Sequence, residues 1–150
     1  MKVYLPRFHN IYGAEGTLDG GKEKAPAAIC RKAALATEEI EIWGDGEQTR
    51  SYCYIDDCVE ALYLLMQSDY HQPINIGTDR LVSINQLADI IEHIAGKELL
   101  RKYQFNMLKG VVGRNADISL AKEVLGWMPE TPLETGLETT YKWILKQIYP

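Results

Sequence analysis

The chain has 150 residues, 46% hydrophobic and 25% charged, with a formal net charge of -5. This is the composition of a globular domain large enough to bury a core. The acidic balance argues against a general nucleic-acid binder, and no run of about 18 apolar residues offers a membrane span.

Residues 2–12 read as a strand, with Val3, Leu5, Phe8, Ile11 and Tyr12 suited to β structure. Pro6 interrupts it, so its left part is expected at an edge or terminus. Gly13 to Gly21 is glycine-rich and polar and reads as a loop. Pro26 can open a helix, which runs to about Ala36 through alanine-rich sequence. Glu39–Trp43 alternates as a short strand with Ile40 and Ile42 on one face. Gly44-Asp45-Gly46 signals a turn, and 50–55 reads as a second strand.

Asp57 and Glu60 form a capping-box pattern. The helix they would open carries Val59, Leu62, Tyr63 and Met66 at helical spacing, widened by Cys58, Ala61 and Leu65. So wide an apolar stripe implies a largely buried helix. Residues 73–77 read as a short buried strand. Ser83 with Gln86 makes another capping box, and Ile84, Leu87, Ala88, Ile91 and Ala95 mark one face of a helix that Gly96 ends. Residues 99–105 read as a strand. Ser119 is expected to cap a short helix that stops at Gly126. Thr131-Pro132-Leu133-Glu134 combines an N-cap, a first-turn proline and a capping-box glutamate. The helix after it puts Leu133, Leu137, Tyr141, Ile144 and Ile148 on one side. The order is mixed α/β with no repeat.

The residues that could carry chemistry form clusters. Cys30, Cys53 and Cys58 make no CxxC pair, and their odd count points to reduced thiols in a cytosolic protein. His9, His71 and His93 are too scattered for a metal site. No GxGxxG fingerprint occurs, so the residues alone supply no dinucleotide site. Lys22, Glu23, Lys24, Arg31 and Lys32 crowd a helix start, where cations oppose the macrodipole. Either an anionic ligand compensates them or they form a solvated lysine-rich loop. Gly44 to Arg50 permits close backbone approach, and the planar fork of Arg50 suits a phosphate or a diol. The alternative is an ordinary hairpin with a surface arginine. Arg114, flanked by Gly113, is either a second phosphate ligand or a surface cation. Asn10, near the end of a strand, can hold a sugar hydroxyl or simply form a turn. Trp43 beside Gly44 could pack or stack on a ring.

Read together, Arg7-Phe8-His9-Asn10-Ile11-Tyr12-Gly13, Gly44 to Arg50, Asn75-Ile76-Gly77, Ala116-Asp117-Ile118 and Leu125-Gly126-Trp127 with Pro129 fall in one order. That order resembles the C-terminal half of the NAD-dependent epimerase/dehydratase family, an extended short-chain dehydrogenase fold. The stretch from Gly20 to Ala33 is similar to the GDP-mannose 3,5-epimerase branch of that family. The resemblance implies an α/β fold: a small substrate-binding domain plus the last strands and a helix of a Rossmann sheet. It implies chemistry in which NAD oxidises the sugar at C4, a ketone acidifies C3 and C5, and hydride returns. It assigns Lys24 as the proton donor and a substrate contact. It makes Asn10, Glu23, Ala25, Lys32, Gln48, Thr49, Arg50 and Arg114 substrate contacts, for a GDP-sugar or related nucleotide-sugar.

The family's glycine-rich loop and Tyr-x-x-x-Lys pair have no counterpart here, since no tyrosine has a lysine four residues later. The expectation is a single substrate-binding region over 1–150, with the NAD-binding Rossmann half absent and no turnover from this chain alone. Exposed strand edges then favour association, with a separate N-terminal Rossmann chain or with itself. The rival readings are a non-catalytic GDP-sugar-binding fragment and part of a sister 4-epimerase or 4,6-dehydratase.

Overall fold

The computed structural model describes residues 1–106 and 111–150 as short strands alternating with helices. In chain order these are β1 (Leu5–Phe8), β2 (Ile11–Tyr12), α1 (Ala25–Leu35), β3 (Glu39–Trp43), β4 (Thr49–Arg50), β5 (Cys53–Tyr54) and α2 (Ile55–Gln67). There follow β6 (Pro73–Ile76), β7 (Val82–Ser83), α3 (Ile84–Ala95), β8 (Leu100–Gln104), β9 (Gly113–Arg114), α4 (Ser119–Leu125) and α5 (Leu133–Ile148). The fold is α/β, as expected.

The strands form small separate sheets. β1 pairs with β6, β2 with β5 and β3 with β8, all parallel. β4 lies between antiparallel β7 and parallel β9. The expected strand over 2–12 is therefore two strands in two sheets. Asn10 makes the break with a left-handed φ of 45°, a conformation asparagine tolerates better than most residues. Pro6 lies inside β1 rather than interrupting it. β1 is paired on one side only among the described residues, so the missing N–H breaks no ladder.

The expected strand over 50–55 is likewise divided. β4 and β5 join different sheets, and the turn at Gly44–Gly46 closes no hairpin, because β3 pairs with β8 instead. Parallel pairing of β3 needs a crossover connection, and α3 supplies it.

Two apolar clusters hold the molecule together. The larger packs α1, α3 and α5 against β3, around Ile29, Cys30, Ile40, Ile42, Leu87, Ile91, Leu137 and Ile144. The smaller joins α2, β6 and α4 through Cys58, Ala61, Leu65, Ile74, Ile76 and Trp127. Ser83 and Gln86 make the predicted capping box, with Gln86 N to Ser83 Oγ at 3.1 Å and Ser83 N to Gln86 Oε1 at 2.8 Å. Gly96 ends α3 in the left-handed region.

Three predicted caps are not caps. Asp57 lies inside α2, and its carboxylate accepts from Glu130 N at 3.2 Å and from Thr131 N and Oγ1 at 3.2 and 3.1 Å. Thr131 is thereby engaged away from α5, whose N-cap position is Pro132. Glu134 is drawn to Arg80. At α4 the N-cap position is Ile118, and Asp117 just before it accepts from Ser119 N at 3.0 Å through Oδ1. The α2 stripe also differs from expectation. Cys58, Ala61 and Leu65 are buried, but Val59, Tyr63 and Met66 are exposed.

Candidate functional site

The start of α1 organises the candidate site. Lys24 is its N-cap residue and offers no side-chain cap, so only its carbonyl enters the helix, accepting from Ala28 N at 2.9 Å. Its side chain is left to solvent, at the rim of a cavity of about 170 Å³ shared with Tyr12, Gly16 and Lys22. A second cavity, of about 240 Å³, lies along the same helix start. Glu23, Ala25, Lys32 and Gln48 line it together with Glu41 and Trp43. Four sequence-predicted contacts thus meet at one cavity, and Lys24 stands at its neighbour.

The wall of the larger cavity is internally bonded. Lys32 Nζ donates to Glu41 O at 3.0 Å and Oε1 at 3.3 Å, and lies 5.4 Å from the Trp43 ring centroid. Trp43 Nε1 donates to the same Oε1 at 2.8 Å. The hydrogen bond from Trp43, joined by Lys32, holds the Glu41 carboxyl below its ordinary range. Gln48 Nε2 donates to Trp43 O at 3.0 Å, tying the turn after β3 to the strand that follows. The crowding of cations expected at this helix start is relieved by carboxylates. Lys32 has Glu41, and Arg31 has Glu23 at 3.8 Å. Among the described residues, Glu23 Oε2 and Arg31 Nε are buried without hydrogen-bond partners.

β4 carries the site from the cavity to a second cation pair. In the β4–β9 ladder Thr49 faces Gly113 and Arg50 faces Arg114. Residues opposite each other in a ladder share a face, and like charges there destabilise the sheet. No carboxylate pairs with either arginine among the described residues. Arg50 Nη1 donates to Thr49 O at 2.7 Å, and Arg114 is exposed. An anion between them would relieve the repulsion. Asn10 stands apart from the cavity. Its Nδ2 donates to Ser51 O at 3.0 Å and its O accepts from Cys53 N at 3.3 Å, so it braces the chain that follows Arg50.

Sequence reasoning missed Glu41 and Arg80. Glu41 was hidden as the polar position of an alternating strand. Its signal was the two-residue spacing to Trp43, which puts both on one strand face. Arg80 holds Glu134 through a two-pronged ion pair at 3.0 and 2.6 Å, pulling the Glu134 carboxyl down to about 2. Burial pushes the Cys30 and Cys53 thiols up to about 12 and raises that of Cys58, which disfavours the reactive thiolate.

Among the described residues no cluster of three metal-binding side chains occurs, and no helix is long and apolar enough to cross a membrane.

The alternation of short parallel strands and helices defines an α/β fold, and the strand ladder brings two cations face to face. The NAD dependent epimerase/dehydratase family model matches residues 1–77, and the chain belongs to that family. Over 148 residues, 99% of the chain, it is 52% identical to GDP-mannose 3,5-epimerase 1 of Oryza sativa subsp. indica. It is 51% identical to GDP-mannose 3,5-epimerase of Arabidopsis thaliana, and it spans 39% of the length of each. Among solved structures, UDP-glucose 4-epimerase of Thermotoga maritima, with UDP-glucose, superposes with a TM-score of 0.86 at 33% identity. The match covers 99% of this chain and 47% of that one. UDP-glucuronic acid 4-epimerase of Bacillus cereus, in complex with UDP-glucuronic acid and NAD, gives 0.85 at 29%, covering 99% and 46%.

Proposed function

We propose that residues 1–150 are the substrate-binding region of a nucleotide-sugar epimerase that acts on a GDP-hexose in the manner of GDP-mannose 3,5-epimerase. The observation that carries this reading is the meeting of Glu23, Ala25, Lys32 and Gln48 at one cavity, beside the facing pair Arg50 and Arg114. A diphosphate placed across the two arginines satisfies both guanidinium groups. Thr49 then orients the sugar, with Asn10 bracing the chain behind Arg50, and Lys24 Nζ returns a proton to the deprotonated carbon on the face opposite the one that lost it. Its exposure supports this role, because a proton donor must be reachable by the ligand.

NAD, held by residues outside this chain, would take and return the hydride. The open side of β1 and the exposed Leu5, Phe8, Val59, Tyr63 and Met66 support association through that face, with a Rossmann half or a second copy. The free cysteines Cys30, Cys53 and Cys58 support a reducing compartment, the cytoplasm.

The test is a chimera in which this chain replaces the aligned segment of the Oryza sativa enzyme. The expected outcome is epimerisation of GDP-mannose, with Lys24→Met lowering kcat by about 10²–10⁴ while KM changes little. A folded, NAD-loaded chimera with no turnover, or one indifferent to Lys24→Met, contradicts the reading.

A further inference from the structure

Resting on the nucleotide-sugar reading, we infer that Asn85 is the positioning residue that fixes the Gly44–Glu47 turn and so sets where Gln48, Thr49 and Arg50 meet the ligand. Left to itself that turn is soft. Gly44 and Gly46 both hold a φ of 75°, and glycine reaches many other conformations at little cost. The three ligand contacts follow the turn directly, so a shift of the turn moves all of them. The start of α3 supplies the restraint. The first amides of a helix have no partner inside it. Here Ile84 N donates to Gln48 O at 3.3 Å, and Asn85 N donates to Gly46 O at 3.0 Å. β7 continues the same seam, pairing Ser83 with Thr49 and Val82 with Arg50.

The side chain of Asn85 completes the restraint. Its Nδ2 donates to Asp45 O at 3.0 Å and to Glu47 Oε1 at 2.6 Å, on either side of Gly46. Its Oδ1 accepts from Tyr103 Oη, on β8, at 3.2 Å. Arg101 Nη1 donates to Asn85 O at 3.2 Å, and Arg101 is itself held by Asp89 and Glu92 of α3. A carboxamide carries a donor and an acceptor at once, and here both ends are used. Gly46 lets the amide lie against the turn, since a Cβ there would collide with the Asn85 carboxamide. Gln48 Nε2 holds Trp43 O from the β3 side, so the turn is tied from two directions. Asn85 does not line the cavity itself, so its effect on a ligand passes through the turn. A contact already in place need not be ordered on binding, and that raises affinity.

The experiment is calorimetric titration of the chain with GDP-mannose, with urea unfolding of each variant measured alongside. Asn85→Asp keeps the shape and the acceptor towards β8, but it loses both Nδ2 donors and sets a carboxylate against Glu47. The expected result is affinity about tenfold below wild type in a folded chain. Adding Glu47→Gln to Asn85→Asp restores a donor–acceptor pair with its direction reversed. Affinity should then return to within about threefold of wild type. A residue that only stabilises the fold gives neither result, because a chain that stays folded keeps its site. An Asn85→Asp loss of less than about threefold overturns the inference, as does a double variant that binds no better than Asn85→Asp. If Arg50→Ala weakens binding by the wild-type chain in those cases, the nucleotide-sugar reading survives. Should Asn85→Asp fail to fold, Glu47→Ala cuts the same link from an exposed position. Affinity about threefold lower is then expected, and unchanged affinity overturns the inference. No binding by the wild-type chain overturns the inference and that reading together.

Discussion

α3 and α2 are helices of similar length, and both carry apolar residues at helical spacing. α3 buries nearly all of its stripe: Ile84, Leu87, Ala88 and Ile91 are enclosed in the cluster with α1 and α5, only Ala95 at its end is half-buried, and both ends are capped. α2 buries only Cys58, Ala61 and Leu65, while Val59, Tyr63 and Met66 stay in solvent. The difference lies in what each helix meets. α3 crosses from β7 to β8 and is enclosed by two other helices. α2 meets β2, β5 and α4, while Val59, Tyr63 and Met66 on its other side stay exposed. A periodic sequence specifies which side of a helix is apolar, but the rest of the fold decides how much of that side is covered.

That contrast can be broken from its strong side first. Leu87→Ala opens a cavity inside the three-helix cluster and should cost about 2–5 kcal/mol in urea unfolding. A loss below about 1 kcal/mol would mean that α3 is less enclosed than described. The next effect is at Asp57, which joins the two regions by binding the chain just before α5. Asp57→Ala leaves the Glu130 and Thr131 amides without their acceptor and should cost about 1–3 kcal/mol. An unchanged urea midpoint would show that water replaces the carboxylate.

A smaller effect follows from Glu134. Arg80 depresses its carboxyl from 4.5 to about 2. A depressed carboxyl contributes stability above its unfolded value, and that contribution is lost as pH falls from about 4.5 towards 2. Both partners are half exposed, so the contribution is modest and screened by salt. Stability measured between pH 5 and 2 should fall less steeply in Arg80→Met than in the wild-type chain. Parallel curves would remove Arg80 as the cause. The least effect on folding is expected at Tyr63→Ser on the open face of α2, within about 0.5 kcal/mol. The same change should reduce self-association in sedimentation, because it removes exposed apolar surface.

The same distinction explains how much the sequence disclosed. Local signals were legible wherever a local contact decides the outcome. The Ser83–Gln86 box, the Gly96 and Gly126 stops, the alternation of Ile40 and Ile42 and the start of α1 near Pro26 all stand as read. Where a distant residue competes, the local pattern misled. Asp57, Thr131 and Glu134 have capping spacing, but Asp57 meets Thr131 across 74 residues and Glu134 meets Arg80 across 54. Short strands misled for the same reason. Thr49 and Cys53 are close in sequence, yet their strands join different sheets. At the site, the family resemblance pointed to Glu23, Ala25, Lys32 and Gln48, and these line one cavity. The pairing of Arg50 with Arg114 needed the β4–β9 ladder, and Glu41 needed its bonds to Lys32 and Trp43.

The most direct measurement of the central claim is calorimetric titration of this chain with GDP-mannose, alongside Arg50→Ala and Arg114→Ala. The account predicts saturable binding that each substitution weakens by about tenfold or more, with salt weakening the wild-type chain most. Absence of binding by a folded chain, or binding indifferent to both arginines, would contradict it.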